Sequence, residues 1–359
     1  MFWRRHQAEA GKGADWRHFV AVFLRVLLGG TIIAYLFVLL VDPYDIVAFS
    51  LPLDRRIVSI SQRYMYPQIV RSRRYNSLVV GTSSARLLDP KLLDKSFGSR
   101  FANLAMDAMS AWEQQIMIGY FLRKAGPPKV LIVGLDIAWC DQNADRNRIT
   151  FRGFPDWLYD DNRWNDYLYL LNVGAVEIAG RLLGYQLGLY PERVRYDGYE
   201  VFVPPESQYD LAHARQGIWH LRKPGVPPNV APPSLSPDQR QALSFPALTW
   251  LDATLARLPS SSLTILAYVP IHVAAQPWPG THAAAVEAEC KARIAAIAGR
   301  HGAKVIDWRI NSALTRDDSN FWDSVHYRVP IATRIAKELG PAILSGRESD
   351  DGSYRLVLP

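Results

Sequence analysis

The chain has 359 residues, enough for one large core, or two small ones, with room left for an anchor. It is 49% hydrophobic, too apolar for a disordered chain and too polar for a protein of many membrane spans. The formal charge of +7 raises nucleic acid as a partner. No Lys/Arg-rich cluster with interleaved aromatics and no zinc-finger or RNP-type pattern accompanies it, so nucleic acid is set aside.

Residues 18–41 are the only stretch able to span a bilayer. Residues 26–41 carry no charge, and Asp42-Pro43 ends the run. At 1.5 Å per residue the whole stretch rises ~36 Å and its uncharged part ~24 Å, which brackets the ~30 Å of hydrocarbon. Arg25 shortens the span by snorkelling toward the near headgroups. Arg4, Arg5, Lys12 and Arg17 precede the run against only Glu9 and Asp15. The positive-inside rule then keeps residues 1–17 as a cytoplasmic tail and exports everything after Asp42. A single-pass protein of the cytoplasmic membrane is expected, its C-terminal domain in the periplasm or outside. No small-x-small site follows the run, as a cleaved signal peptide would need, and the run is apolar all round rather than on one stripe.

Residues 42–75 read as a juxtamembrane connector. From Asn76 a strand–helix alternation begins, with apolar runs at residues 77–80, 101–106, 129–136, 262–269 and 303–306. Helical patterns over residues 111–123 and 281–300 separate some of them, the first ended by Gly126-Pro127-Pro128. Buried strands alternating with helices predict an α/β domain over residues 76–345: a three-layer, doubly wound parallel sheet, followed by a tail at residues 346–359. Residues 140–246 interrupt the alternation as a long insertion, first rich in Tyr and Trp (Trp157, Trp164, Tyr167, Tyr169), then in proline. Its aromatics suit sugar stacking, though packing within the insertion is the plainer expectation. Cys140 and Cys290 fit no metal spacing and no disulfide framework. Two unpaired thiols are the simpler expectation, and pairing in an oxidising compartment is the alternative.

Two motifs carry the chemistry. Gly81-Thr82-Ser83-Ser84 ends the first strand in a sharp turn and presents a serine at a helix start, where backbone N–H groups point outward. An N-cap serine is the structural alternative. Near the other end, Asp323-Ser324-Val325-His326 places a carboxylate three residues before a histidine. A serine becomes a useful nucleophile when a base takes its proton and a third group orients that base. Functional residues of parallel sheets collect at strand carboxyl ends, where Ser83, Asp136 and His272 all fall.

With its Gly-x-Ser turn, its Asn-containing block Phe101-Ala102-Asn103-Leu104-Ala105-Met106-Asp107-Ala108, its strand end Gly134-Leu135-Asp136 and its terminal Asp-x-x-His, the chain resembles the SGNH (GDSL-type) hydrolase superfamily. It is similar in particular to the membrane-anchored exported branch that serves alginate O-acetylation and D-alanyl transfer to teichoic acid. The resemblance covers residues 76–139 and roughly the last hundred, and leaves the insertion unmatched. It implies Ser83 as nucleophile, His326 as base and Asp323 as the group that orients it. Ala105 or Ala108 would give a backbone N–H to an oxyanion hole. Asp136 stands where the family often has an Asn donor, and would bind a substrate hydroxyl, pair with Arg86 or hold a proton. Arg86 and His272 are further candidates for the substrate cleft, Arg86 toward an acyl or anionic group, and Trp139 and Trp322 for its walls. No metal or cofactor is expected.

The implied activity is a serine esterase or O-acyltransferase acting on acyl, foremost acetyl, esters of an extracellular or cell-wall polysaccharide, with a membrane-bound O-acyltransferase as partner. The rival expectation is a catalytically impaired component that keeps the fold to bind glycan or assist assembly. A Ser83 within bonding reach of His326 separates the two.

Overall fold

A computed structural model describes residues 3–228 and 230–357, with side chains from residue 16 onward. The first helix, α1 (Trp3–Val41), contains a 26-residue run, Trp16–Val41, long and apolar enough to cross a membrane. The helix continues through the expected tail as well as the expected span. The charge asymmetry of Arg4, Arg5 and Lys12 falls on side chains outside those described.

After α2 (Gln62–Arg71) come β1 (Ser77–Val80), α3 (Ser83–Arg86), α4 (Pro90–Phe97), β2 (Phe101–Asn103), α5 (Ala111–Ala125) and β3 (Val130–Leu135). The stretch before β4 (Leu263–Tyr268) holds α6 (Asp156–Tyr159), α7 (Arg163–Tyr169), α8 (Val173–Gln186), α9 (Leu211–Ile218), α10 (Pro237–Ala242) and α11 (Pro246–Leu255). The chain ends with α12 (His282–Arg300), β5 (Lys304–Asp307), α13 (Ala313–Arg316), α14 (Val329–Ser345) and β6 (Arg355–Val357). It divides into two units, Met1–Ser59 with Asp161–Arg193, and Ile60–Asp160 with Val194–Pro359.

The larger unit is built on one sheet of order β2-β1-β3-β4-β5-β6, parallel except for β6. β1 and β3 are buried along their whole length, as strands covered on both faces must be. β6 corrects the sequence expectation: a segment assigned to a tail pairs antiparallel with β5 and closes that edge. Helix α4 packs against α14, and α11 against both α5 and α12. By the right-handed rule for parallel crossovers, these two sets fall on opposite faces of the sheet. One face buries Val79, Ile132, Ile265 and Ile306 against Leu93, Ile335 and Leu339, each such side chain contributing about 1.5–3 kcal/mol on leaving water.

From β1 the chain moves outward to β2, then returns past β1 to β3. The crevice beyond the carboxyl ends of β1 and β3 is therefore the switch point where an open parallel sheet binds ligands. The cysteine expectation also needs correction: Cys140, just after β3, is bonded to Cys290 of α12. At a sequence separation of 150, the pairing depends on the fold and leaves no local trace in the sequence.

Candidate active site

The site starts from a close approach of backbone. Val80 pairs in register with Val133, so Gly81, just past the end of β1, lies beside Gly134, still within β3. A Cβ on either glycine would lie 2.8 Å from the Cβ of Ala85. Two bare positions thus let α3 seat its Ala85 directly on the strand ends, which turns the chain sharply and lifts Ser83 out of the sheet. Thr82, not Ser83, stands at the N-cap position of α3, without a side-chain capping bond. The N-cap alternative for Ser83 therefore falls away. The Ser83 Oγ lies 2.8 Å from His326 Nε2.

His326 sits on a loop pinched shut by a bridge between Phe321 and Tyr327, with Trp322 N–H donating to His326 O. Inside the loop, Asp323 Oδ1 accepts the N–H groups of Val325 and His326, both at 2.8 Å. Its Oδ2 lies 2.8 Å from His326 Nδ1. Burial alone would raise the Asp323 carboxyl, but the bond and charge of His326 and the two N–H donors outweigh it and hold the group below the ordinary value. An ionised carboxylate only accepts, so Nδ1 carries the hydrogen of the neutral imidazole and Nε2 is left to take the proton of Ser83. The three residues expected from the two motifs come together in one chain of hydrogen bonds, partly open to solvent.

The two alanines part company. Ala105 N–H donates to Asn103 Oδ1 at 3.1 Å and is spent inside the core, which corrects that expectation. Ala108 has a left-handed backbone, φ 48°, and its N–H, like that of Ser83, has no hydrogen-bond partner among the described residues. Met106 N–H donates to Gly81 O at 3.1 Å, which lays the Ala108 loop beside the Ser83 turn. Arg63 of α2 fixes the far side of that loop, reaching Asp107 O at 3.0 Å while bonding both oxygens of Glu113. Glu113 also closes the capping box of α5 with Ser110.

Asp136 faces the back of the turn. Its Oδ1 accepts Ala138 N–H at 2.9 Å, with the Thr82 hydroxyl and the Arg309 guanidinium nearby. Burial raises its carboxyl despite those three favourable neighbours. Arg86 does not pair with it. The Arg86 guanidinium is bound to Glu200 and lies 4.3 Å over the ring of Phe202, whose own ring meets His326 edge-on at 5.3 Å. Arg86 and Phe202 also line a cleft of about 560 Å³, with Gln62, Asp107, Arg152 and Glu200. None of the three catalytic candidates lines that cleft; it flanks them through Phe202 and the Ala108 loop.

No protein-family model matches this chain, and no curated protein is recognisably similar to it.

His272 does not reach the cleft. Its ring is wholly buried, edge-on to both Trp219 and Phe321, with Nδ1 accepting Ala274 N–H and Nε2 3.1 Å from Asp318 Oδ1. Burial lowers its pKa, only partly offset by Asp318. It acts through its backbone, whose N–H holds Ser324 O at 2.9 Å and so braces the Asp323–His326 loop from beneath. Trp139 is a core residue, its Nε1 bonded to Gln114. Trp322 packs edge-on against Tyr209.

Asn103 is the main residue whose role sequence reasoning missed. Fully buried, it donates from Nδ2 to the carbonyls of Ala85, Arg86 and Leu88, capturing the C-terminal end of α3. A polar residue ending a short apolar run was the available signal. Glu200 and Phe202 carried none, since the proline-rich stretch that holds them has no periodicity.

Proposed function

We propose that this chain is a membrane-anchored, extracytoplasmic serine esterase or O-acyltransferase of the SGNH type, acting on acyl esters of an extracellular polysaccharide, acetyl foremost. The Ser83–His326–Asp323 chain of hydrogen bonds carries the reading. A binding component with an idle site has no need of a carboxylate, an imidazole and a hydroxyl aligned in proton-transfer order.

Ser83 Oγ attacks the acyl carbonyl carbon as its proton passes to His326 Nε2. The negative oxygen so formed meets the N–H groups of Ser83 and Ala108. The tetrahedral intermediate collapses, and the sugar oxygen leaves with the proton from His326. An acyl-serine remains. Water or a second sugar hydroxyl then gives its proton to His326 and attacks, releasing the free acid or a new ester. Asp323 keeps the imidazole in the required tautomer and stabilises its protonated form.

Two features support the compartment. The apolar helix α1 precedes the catalytic unit, and the Cys140–Cys290 bond belongs to oxidising surroundings. In the branch that the sequence resembles, a membrane-bound O-acyltransferase supplies the acyl group, and such a donor would make transfer the main outcome.

A fluorophosphonate probe tests the reading. The folded full-length protein should be labelled, and Ser83→Ala should abolish labelling without changing its melting temperature. Absence of labelling of the folded parent would reject it.

A further inference from the structure

We propose that α7 and α8 form a second membrane-contacting element, seated at the headgroup–acyl boundary of the leaflet through which α1 leaves the bilayer. The proposal rests on reading α1 as a span, and every observation behind it lies within the unit of Met1–Ser59 and Asp161–Arg193.

The first observation is depth. Helix α8 packs against α1 and buries Ala175, Ile178, Ala179 and Leu182. Tyr35 of α1 donates its hydroxyl hydrogen to Tyr167 O of α7 at 2.8 Å. Tyr35 precedes the end of α1 at Val41 by ~9 Å of helix rise. Sliding α1 outward does not take that contact clear of lipid. From Val26, just past Arg25, to Val41 the helix rises only ~24 Å, less than the ~30 Å of hydrocarbon. The whole of this end is needed to complete the span.

The second is surface chemistry. Helix α7 has no buried residue, yet its Trp164 and Leu168, one turn apart, are 84% and 78% exposed, and Leu171 just beyond it is 52% exposed. Val173, the first residue of α8, and Leu187 and Leu189, just past its end, are 85%, 64% and 79% exposed. An apolar surface of this extent beside a membrane helix is a docking face, and its continuity with α1 makes lipid the occupant.

The third is length and charge. At 7 and 14 residues, neither helix spans a bilayer. Arg163 and Asp166 remain on α7, while Glu177 and Arg181 pair one turn apart on α8. Such helices lie in the interface, ~5–10 Å deep, which matches the depth of the Tyr35 contact. Trp164, offered by the sequence as a sugar-stacking ring, faces lipid on this reading.

The test uses the full-length chain in phosphatidylcholine–phosphatidylglycerol vesicles containing a doxyl-lipid quencher. An environment-sensitive fluorophore is attached at Leu168→Cys or Leu187→Cys, with Ile33→Cys on α1 and Leu344→Cys on α14 as references. The native cysteines are bonded to each other and do not react. Quenching at 168 and 187 should approach that at 33 and exceed that at 344 several-fold. Quenching at 33 alone would overturn the proposal and leave the anchor standing. No quenching at 33 would overturn both. Protection of 168 and 187 in native membranes but not in pure lipid would make a membrane protein the occupant, and would also overturn it.

Discussion

Tyr327, the residue after His326, donates its buried hydroxyl hydrogen to the carbonyl of Ser84, the residue after Ser83. One bond thereby registers the Phe321–Tyr327 loop against α3 and sets the approach of His326 to Ser83. Tyr327→Phe leaves a buried carbonyl without its partner, at a cost of about 1–3 kcal/mol. Loosening that registration should lower kcat by roughly 10–100-fold while KM changes little. Steady-state kinetics on a small acetyl ester, with a thermal melt alongside, checks this; an unchanged kcat would show that the loop is positioned by other contacts.

Asp323→Asn keeps an oxygen for the Val325 and His326 N–H groups but removes the carboxylate that fixes the tautomer. A kcat loss on the order of 10⁴ is expected, with the fold retained at neutral pH. The lowered carboxyl also predicts a sign for stability. The contribution of Asp323 is complete above its unfolded value near ~4 and is lost as pH falls through its lower folded value. Acid unfolding curves of the variant should therefore be flatter below about pH 4 than those of the parent.

Ala108 holds a left-handed backbone that costs a non-glycine residue about 1–2 kcal/mol. Ala108→Gly relieves this and keeps the N–H, so it should be at least as stable as the parent and fully active. Ala108→Val strains the same position and should lose both stability and kcat. If the two variants behaved alike in melts and kinetics, Ala108 would not be the oxyanion donor in this conformation.

Asp136 predicts the reverse pH dependence to Asp323. Burial lifts its carboxyl above the unfolded value, so the folded chain binds that proton more readily, and ionisation weakens the fold as pH rises past ~4. Asp136→Asn retains an acceptor for Ala138 N–H and removes the ionisation. Its melting temperature relative to the parent should rise at pH 7 and not at pH 3. An equal difference at both values would contradict the assignment.

The strands were legible because each is a short apolar run: those expected at residues 77–80, 129–136, 262–269 and 303–306 form as β1, β3, β4 and β5 to within a residue or so at each end. The run at 101–106 stops early, at Asn103, because that side chain turns away to hold α3 and the chain leaves the sheet to form the Ala108 loop. β6 was missed because three residues at a sheet edge, none of them fully buried, carry too little pattern.

Ser83, Asp323 and His326 were readable for a local reason. A glycine turn, a serine and an Asp-x-x-His loop each create their geometry within a few residues, and parallel-sheet topology brings strand ends together. The rest depended on register between distant segments. The Arg86–Glu200 pair, the Phe202 wall, the loss of Ala105 as a donor, the burial of His272 and the Cys140–Cys290 bond all join residues whose neighbourhood exists only after the sheet order is set. Charge, spacing and apolar content act along the chain; burial and hydrogen-bond partnership are properties of the packed core, and in this protein they decided which candidates face the site and which support it from behind.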